Sequence, residues 1–237
     1  MNMRIMNNKL QMLRNKYDVK DDGVILDGSI LKLTGGQCVR LLPWRVERRF
    51  IELKKIIEAK TLEDVSTLRF AVMSSSESLK DLLFREFDLC EFLGASRIVR
   101  AFAVMNGDDV ANILVKLADG KSCSIECSAA LPAGTERLDR HEIIARRGVA
   151  CDRTVDTQVP QSSIYVFGKE LETHYTDTDA ELFGLCELEI LLVRSAMQIL
   201  QTQALAVEWN AATERIEKII DKTLQNADRQ PAFFEEA

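Results

Sequence analysis

The sequence contains no GxGxxG turn, no GxxxxGK[ST] loop and no GxSxG elbow. A dehydrogenase that holds its own NAD needs a glycine-rich turn leading from a first strand into a helix, where backbone N–H groups meet the pyrophosphate. The nearest substitute, Thr34-Gly35-Gly36, has no following helix of the right kind and reads as a plain turn. Self-contained NAD(P)-dependent catalysis, P-loop nucleotide hydrolysis and serine hydrolysis therefore lose their usual marks. Histidine is also scarce, with two in 237 residues. His141 falls at the start of a predicted strand and His174 in a polar run. A lone histidine with no located partner reads as a packing or surface residue rather than a general base.

The six cysteines form no CxxC pair backed by a second pair or by histidines, so a zinc site is not expected. The amino end is polar and lacks an apolar signal core, which predicts reduced thiols and a cytoplasmic location. Long apolar runs are missing. The longest strongly apolar stretch is Ile190 to Val193, far short of the roughly 18 residues that cross a bilayer, so no membrane role is expected. An excess of positive charge is missing too: 31 basic against 37 acidic residues gives a net charge of -6, which argues against a nucleic-acid partner. The local cluster Arg45, Arg48 and Arg49 is interleaved with apolar helix positions and is expected to be a solvated helix face.

What is present is an ordinary globular composition, 46% hydrophobic and 29% charged with only 4 Pro and 11 Gly. From about residue 67 to 167 the pattern is that of strands. Leu68, Phe70 and Val72 alternate with Thr67, Arg69 and Ala71, and Cys123, Ile125 and Cys127 alternate with serines and Glu126. A period of two marks a half-buried strand and makes Cys123 and Cys127 core residues. Asn106-Gly107, Asp119-Gly120, Pro132-Ala133-Gly134 and Gly148 supply turns at short spacing. They predict that consecutive strands pair antiparallel as a meander.

Helical stripes flank this region. Val46, Phe50, Leu53 and Ile57 form one, and Leu79, Leu83, Phe87 and Cys90 another. A longer helix carries Leu182, Cys186, Ile190, Val193, Met197 and Leu200. A last one is predicted to start with Asn210 as its cap and to bury Ile216, Ile219 and Ile220. The sum is an α+β class: a mainly antiparallel sheet with helices packed on one face. Residues 1–22 read as a helical extension and 23–237 as a single α+β domain. Asp177 and Asp179, just before the longer helix, are expected to favour its amino end, with metal binding as the alternative.

The order of elements and several short stretches resemble the carboxyl-terminal half of the glucose-fructose oxidoreductase, inositol dehydrogenase and MocA-like family, over roughly residues 24 to 225. In that family a Rossmann domain carrying NAD(P) precedes an α+β domain that faces cofactor and sugar-like substrate. Val24 to Thr34 looks like the family stretch containing Glu-Lys-Pro, here Asp27-Gly28-Ser29, so the family lysine would fall on Gly28. Arg45 to Lys60 is similar to the following helix. Asp81-Leu82-Leu83-Phe84-Arg85-Glu86-Phe87-Asp88, ending in Leu93-Gly94, resembles the family's Asp-x-Gly-x-His-x-x-Asp helix start. The two acids are kept, the glycine position holds Leu83, and the catalytic histidine would fall on Arg85. A guanidinium stays protonated at physiological pH and cannot shuttle a proton. Arg137 to Asp152, with its Ala145-Arg146-Arg147-Gly148 turn, is similar to the family's later strand pair.

The resemblance implies a chain that starts beyond the nucleotide-binding half and lacks both the lysine and the histidine. The leading expectation is a non-catalytic relative kept for assembly or for binding a sugar-like or small polar ligand. It would have no catalytic residue of its own and would bind no cofactor by itself. Self-association through the sheet face is expected. The alternative is the substrate-binding part of a split oxidoreductase, with NAD(P) supplied by a partner Rossmann chain and with Asp81, Arg85 and Asp88 lining the substrate cleft. A third reading, an unrelated enzyme using Asp81, Glu86, Asp88 or the Asp177 and Asp179 pair as acid and base, stays open at this point.

Overall fold

The computed structural model describes residues 1–26, 29–152, 163–167, 172–176 and 184–234, with 163–167 and 172–176 described through their backbone. The chain divides into two compact units. One contains residues 1–48 and 177–215, the other residues 49–176 and 216–237. Among the described residues no helix is long and apolar enough to cross a membrane.

In the first unit, helix α1 (Met3–Lys16) starts at Asn2, whose side chain accepts from the Ile5 N–H, and buries Met6 and Leu10. Strands β1 (Gly23–Leu26), β2 (Ile30–Leu33) and β3 (Cys38–Arg40) form a small antiparallel sheet. Asn7 ties α1 to β1 by accepting from the Ile25 N–H at 2.9 Å and donating to the Ile25 carbonyl at 3.0 Å. Gly23 has no room for a side chain without crowding Leu31 Cδ1 at 3.0 Å. A 3-10 turn (Pro43–Val46) and helix α4 (Glu187–Gln201) complete the packing. Helix α5 (Ala204–Gln225) follows.

The second unit holds helix α2 (Arg48–Glu58), strand β4 (Val65–Met73) and helix α3 (Leu79–Gly94). Seven strands come next in sequence: β5 (Ile98–Asn106), β6 (Val110–Leu117), β7 (Ser122–Ser128), β8 (Leu138–Ala145), β9 (Gly148–Cys151), β10 (Ser163–Phe167) and β11 (Glu172–Thr176). The short β12 (Ala232–Phe233) closes the set. The nine strands β4 to β12 make one sheet in the order β11-β10-β9-β8-β4-β7-β6-β5-β12. Every neighbouring pair is antiparallel except β4 and β7, which run parallel. The α+β class with a largely antiparallel sheet is the one expected from the sequence.

The predicted meander holds for β5, β6 and β7, whose turns place Gly107 and Gly120 at φ of 65° and 93°, angles that suit glycine. It fails at the next step. β8 pairs with β4, not β7, so β4 is a central strand with partners on both sides. The physical reason is burial: Leu68, Phe70 and Val72 are wholly buried, and a strand so apolar is best satisfied away from an edge. The connection from β4 to parallel β7 contains α3 and the β5–β6 hairpin, ample length for a crossover.

Helix α3 lies on β4, β6 and β7. Its N-cap Ser78 accepts from the Asp81 N–H at 3.2 Å. Cys123 and Cys127 are buried in β7, as their alternation predicts. Helix α5 begins six residues before the predicted cap. Asn210 lies inside it and donates to the Cys38 carbonyl at 3.1 Å. The Ala-Leu-Ala-Val-Glu-Trp run before Asn210 has no helix breaker, so the helix simply continues through it. The expected Ile216, Ile219 and Ile220 are buried.

Candidate functional site

Helix α3 reads LKDLLFREFDLCEFLG and has apolar residues on all sides, so not every charge in it can reach water. Arg85 and Glu86 point into the unit: Glu86 is wholly buried and Arg85 is 9% exposed. In β8, Asp139 and His141 share the parity of core residue Ile143 and therefore face the same side as it. His141 is wholly buried, with Phe50 edge-on at 4.7 Å and Phe70 at 4.9 Å between ring centres. Asp152 follows directly on β9, and Arg49 reaches in from α2.

These six side chains close on one another. His141 Nδ1 lies 2.6 Å from Asp152 Oδ2, and its Nε2 lies 2.9 Å from Glu86 Oε2. The His141 backbone N–H donates to Asp152 Oδ1 at 2.6 Å, and the Asp152 N–H donates to the His141 carbonyl at 3.1 Å. Arg85 Nε donates to Glu86 Oε1 at 2.7 Å, and its Nη1 donates to Asp139 Oδ2 at 2.8 Å. Arg49 spans two carboxylates, donating to Asp152 at 2.9 Å and to Asp139 at 3.0 Å. Three cations, counting imidazolium, thus meet three carboxylates, and at the edge Arg137, paired with Glu77 at 2.6 Å, reaches Asp139 at 3.5 Å.

The electrostatics agree with that count. Burial alone would push the His141 pKa down, but Asp152 and Glu86 outweigh it and raise it to about 9. Burial pushes Glu86 upward, and Arg85 with His141 overcomes this to hold it below the ordinary glutamate value. Burial likewise opposes ionisation of Asp139, yet Arg49, Arg85 and His141 hold it well below the usual carboxylate range. Arg85 is held cationic by Asp139 and Glu86 against the same burial penalty. With both ring nitrogens facing carboxylates, His141 is an imidazolium that donates twice.

Asp139, His141 and Asp152 offer ligand atoms within 4.8 Å of one another. An imidazolium has no lone pair for a cation, however, and two guanidinium groups already neutralise the carboxylates. The set therefore fits a closed ion network better than a metal centre.

Of the residues considered as a substrate cleft, Arg85 sits in the network, Asp88 is wholly buried in α3 and Asp81 is exposed at its amino end, where its carboxylate accepts from the Ser78 hydroxyl at 2.6 Å. The structure does not gather the three on one open surface. Two expectations are corrected. The arginine cluster is not a solvated face: the Arg45 and Arg49 side chains are only 9% and 10% exposed and both are ion-paired, while Arg48 is exposed. His141 is not a lone histidine, since Glu86 and Asp152 come to it from 55 and 11 residues away. Gly28, Asp177, Asp179 and Leu182 lie outside the described residues. His174 is placed on β11 opposite Tyr165.

No family model matches the sequence, and no curated protein does. Solved structures do. An oxidoreductase from Agrobacterium radiobacter, in complex with NAD+, L-tartaric acid and magnesium, superposes with a TM-score of 0.63 at 14% identity, over 81% of this chain and 62% of its own. An oxidoreductase domain protein from Kribbella flavida gives 0.64 at 13% identity, over 82% and 66%. The myo-inositol 2-dehydrogenase from Lactobacillus plantarum gives 0.57 at 12%, over 82% and 64%. The chain has the fold of these oxidoreductases. It spans less than two thirds of their length, and at this identity the likeness is one of fold.

Proposed function

We propose that this chain is a substrate-type domain related to the glucose-fructose oxidoreductase, inositol dehydrogenase and MocA-like oxidoreductases, serving assembly or ligand binding without proton-transfer catalysis of its own. The observation that carries the reading is the state of Arg85. The residue that stands where the resemblance puts the catalytic histidine is a buried guanidinium committed to Asp139 and Glu86. It has no proton to give at neutral pH and no free edge for a substrate. The remaining imidazole nearby, His141, is charged and enclosed.

The test is turnover. The purified protein with NAD+ or NADP+ and a panel of polyols and sugars is expected to give no reduced cofactor, and Arg85→His is expected to leave it inactive. Cofactor reduction by the unmodified protein above a heat-treated control would overturn the reading. Self-association through the open sheet face is part of the proposal, and a monomer at high concentration in sedimentation would remove that part.

A second reading is supported by the share of the neighbours' length with no counterpart here. In it, a nucleotide-binding unit outside these 237 residues brings NAD(P), and this domain supplies the substrate side. Copurification of such a unit, with turnover on reconstitution, is its expected signature.

A further inference from the structure

In the first unit, the segment entering β1, the β2–β3 turn and the corner between α4 and α5 enclose a depression of about 450 Å³. Each wall is held by its own hydrogen bonds. The Arg14 side chain, only 9% exposed, donates to the Asp21 carbonyl at 2.8 Å and to Asp22 Oδ1 at 2.5 Å. Thr34 donates to the Asp22 carbonyl through its hydroxyl at 3.0 Å and its N–H at 3.1 Å. The Thr34-Gly35-Gly36 turn is closed by the Gly36 N–H donating to the Leu33 carbonyl at 2.8 Å, with Gly36 at a φ of 84° that suits glycine. At the helix corner the Ala206 N–H donates to the Gln203 carbonyl at 3.0 Å. A concavity with walls fixed in this way is largely preformed, and small-ligand pockets span about 300–1,000 Å³.

The lining is of two kinds. Leu33, Ile199, Leu200 and Ala206 supply aliphatic surface, while Asp21, Asp22, Gln37 and Gln203 supply oxygen acceptors. The described lining residues include neither a cation nor an aromatic ring. Arg14 neutralises Asp22, so the half-buried Asp21 sets the sign of the site. The remaining residues of this unit, 27–28 and 177–183, contain no Lys, Arg or His that could cancel it. A primary ammonium carries three N–H donors and is satisfied by such oxygens, whereas a quaternary one is recognised by aromatic faces, which this lining lacks. An anion meets a carboxylate here and no partner.

We infer that this depression binds a primary aliphatic amine. The ammonium sits on the Asp21 carboxylate and the carboxamide oxygens of Gln37 and Gln203, and the methylene chain lies along Leu33, Ile199 and Leu200. The site is contained in the first unit, whereas the Arg85 network and the sheet face proposed for self-association belong to the second. Failure of the inference therefore leaves the reading of Arg85 untouched, and the reverse holds as well.

Titration of the 15N-labelled protein with 1-aminopentane, 1-pentanol, pentanoate and tetramethylammonium tests it. The amine is expected to move the amides of residues 21–22, 33–37 and 203–207 together, and to bind about tenfold more tightly than any of the other three. Asp21→Asn keeps the shape of the side chain and is expected to weaken the amine about tenfold while leaving 1-pentanol unchanged. Gln203→Ala, at an exposed corner position, is expected to weaken it about threefold, and raised salt should weaken it further. Equal affinity for 1-pentanol, amide shifts confined to other residues, or amine binding unaffected by both substitutions would overturn the inference. So would an equal response to calcium chloride, which would assign the two carboxylates to a metal ion.

Discussion

The two faces of the large sheet treat the same residue types in opposite ways. On the α3 side, the Arg49 and Arg85 side chains are only 10% and 11% exposed and both face carboxylates. On the other side, Arg100 and Lys116 are exposed and opposed, and neither meets a carboxylate among the described residues. Guanidinium groups on the first face are fixed by neighbours that cannot leave without stranding a buried charge. On the second, Arg69 and Arg140 also pair with carboxylates, but their side chains stay 51% and 46% exposed. An arginine in this chain is structural or available according to what its neighbours have already claimed.

The sharpest way to break the comparison is to remove a cation from each face. Arg85→Met should destabilise the protein by about 3–5 kcal/mol, because Glu86 and Asp139 are left buried without their partner, and the midpoint in urea denaturation reads this out. A loss under about 1 kcal/mol would mean that water already reaches the network.

The next effect is in pH. The His141 pKa is raised to about 9 in the folded protein from roughly 6.5 unfolded. The folded state therefore binds the extra proton more tightly, and this contribution is complete below about pH 6.5 and disappears as pH rises through about 9. Its size is on the order of 3 kcal/mol. Glu86 and Asp139 are depressed, so their contribution is present above about pH 4.5 and is lost as the solution becomes more acidic than that. Stability measured by denaturation should form a plateau between these limits, and His141→Gln should abolish the alkaline fall.

A smaller change is expected at the helix that carries the network. Ser78→Ala removes the cap of α3 and should cost about 1 kcal/mol, visible as a lower thermal midpoint without loss of the pH plateau. Least of all, Arg100→Gln or Lys116→Gln should change stability by under about 0.5 kcal/mol, with any shift toward greater stability as like-charge repulsion is relieved.

How much of this could be read from the sequence follows the range of the interactions. The alternation in 67–73 and 122–128 located β4 and β7 and buried the right residues, because a strand's own parity sets its two faces. The parallel pairing of those two strands was hidden, since it depends on which distant strand satisfies β4 once α3 covers it. The network was hidden for the same reason. Arg85 meets Asp139 across 54 positions and Glu86 meets His141 across 55, and no short motif spans that. Two local signals were nonetheless there: charges inside a helix apolar all round, and a histidine in register with core residue Ile143. Together they pointed to buried charge needing partners, which is why Arg85 reads differently as a neighbour than as an isolated letter.

The central claim is that the position resembling a catalytic histidine has been absorbed into a closed, neutral ion network with His141 at its centre. Following the His141 ring signals by NMR across pH tests it most directly. The account predicts that the ring stays protonated through neutrality and titrates near pH 9. A midpoint at or below about 6.5, the value of an ordinary histidine, would contradict it.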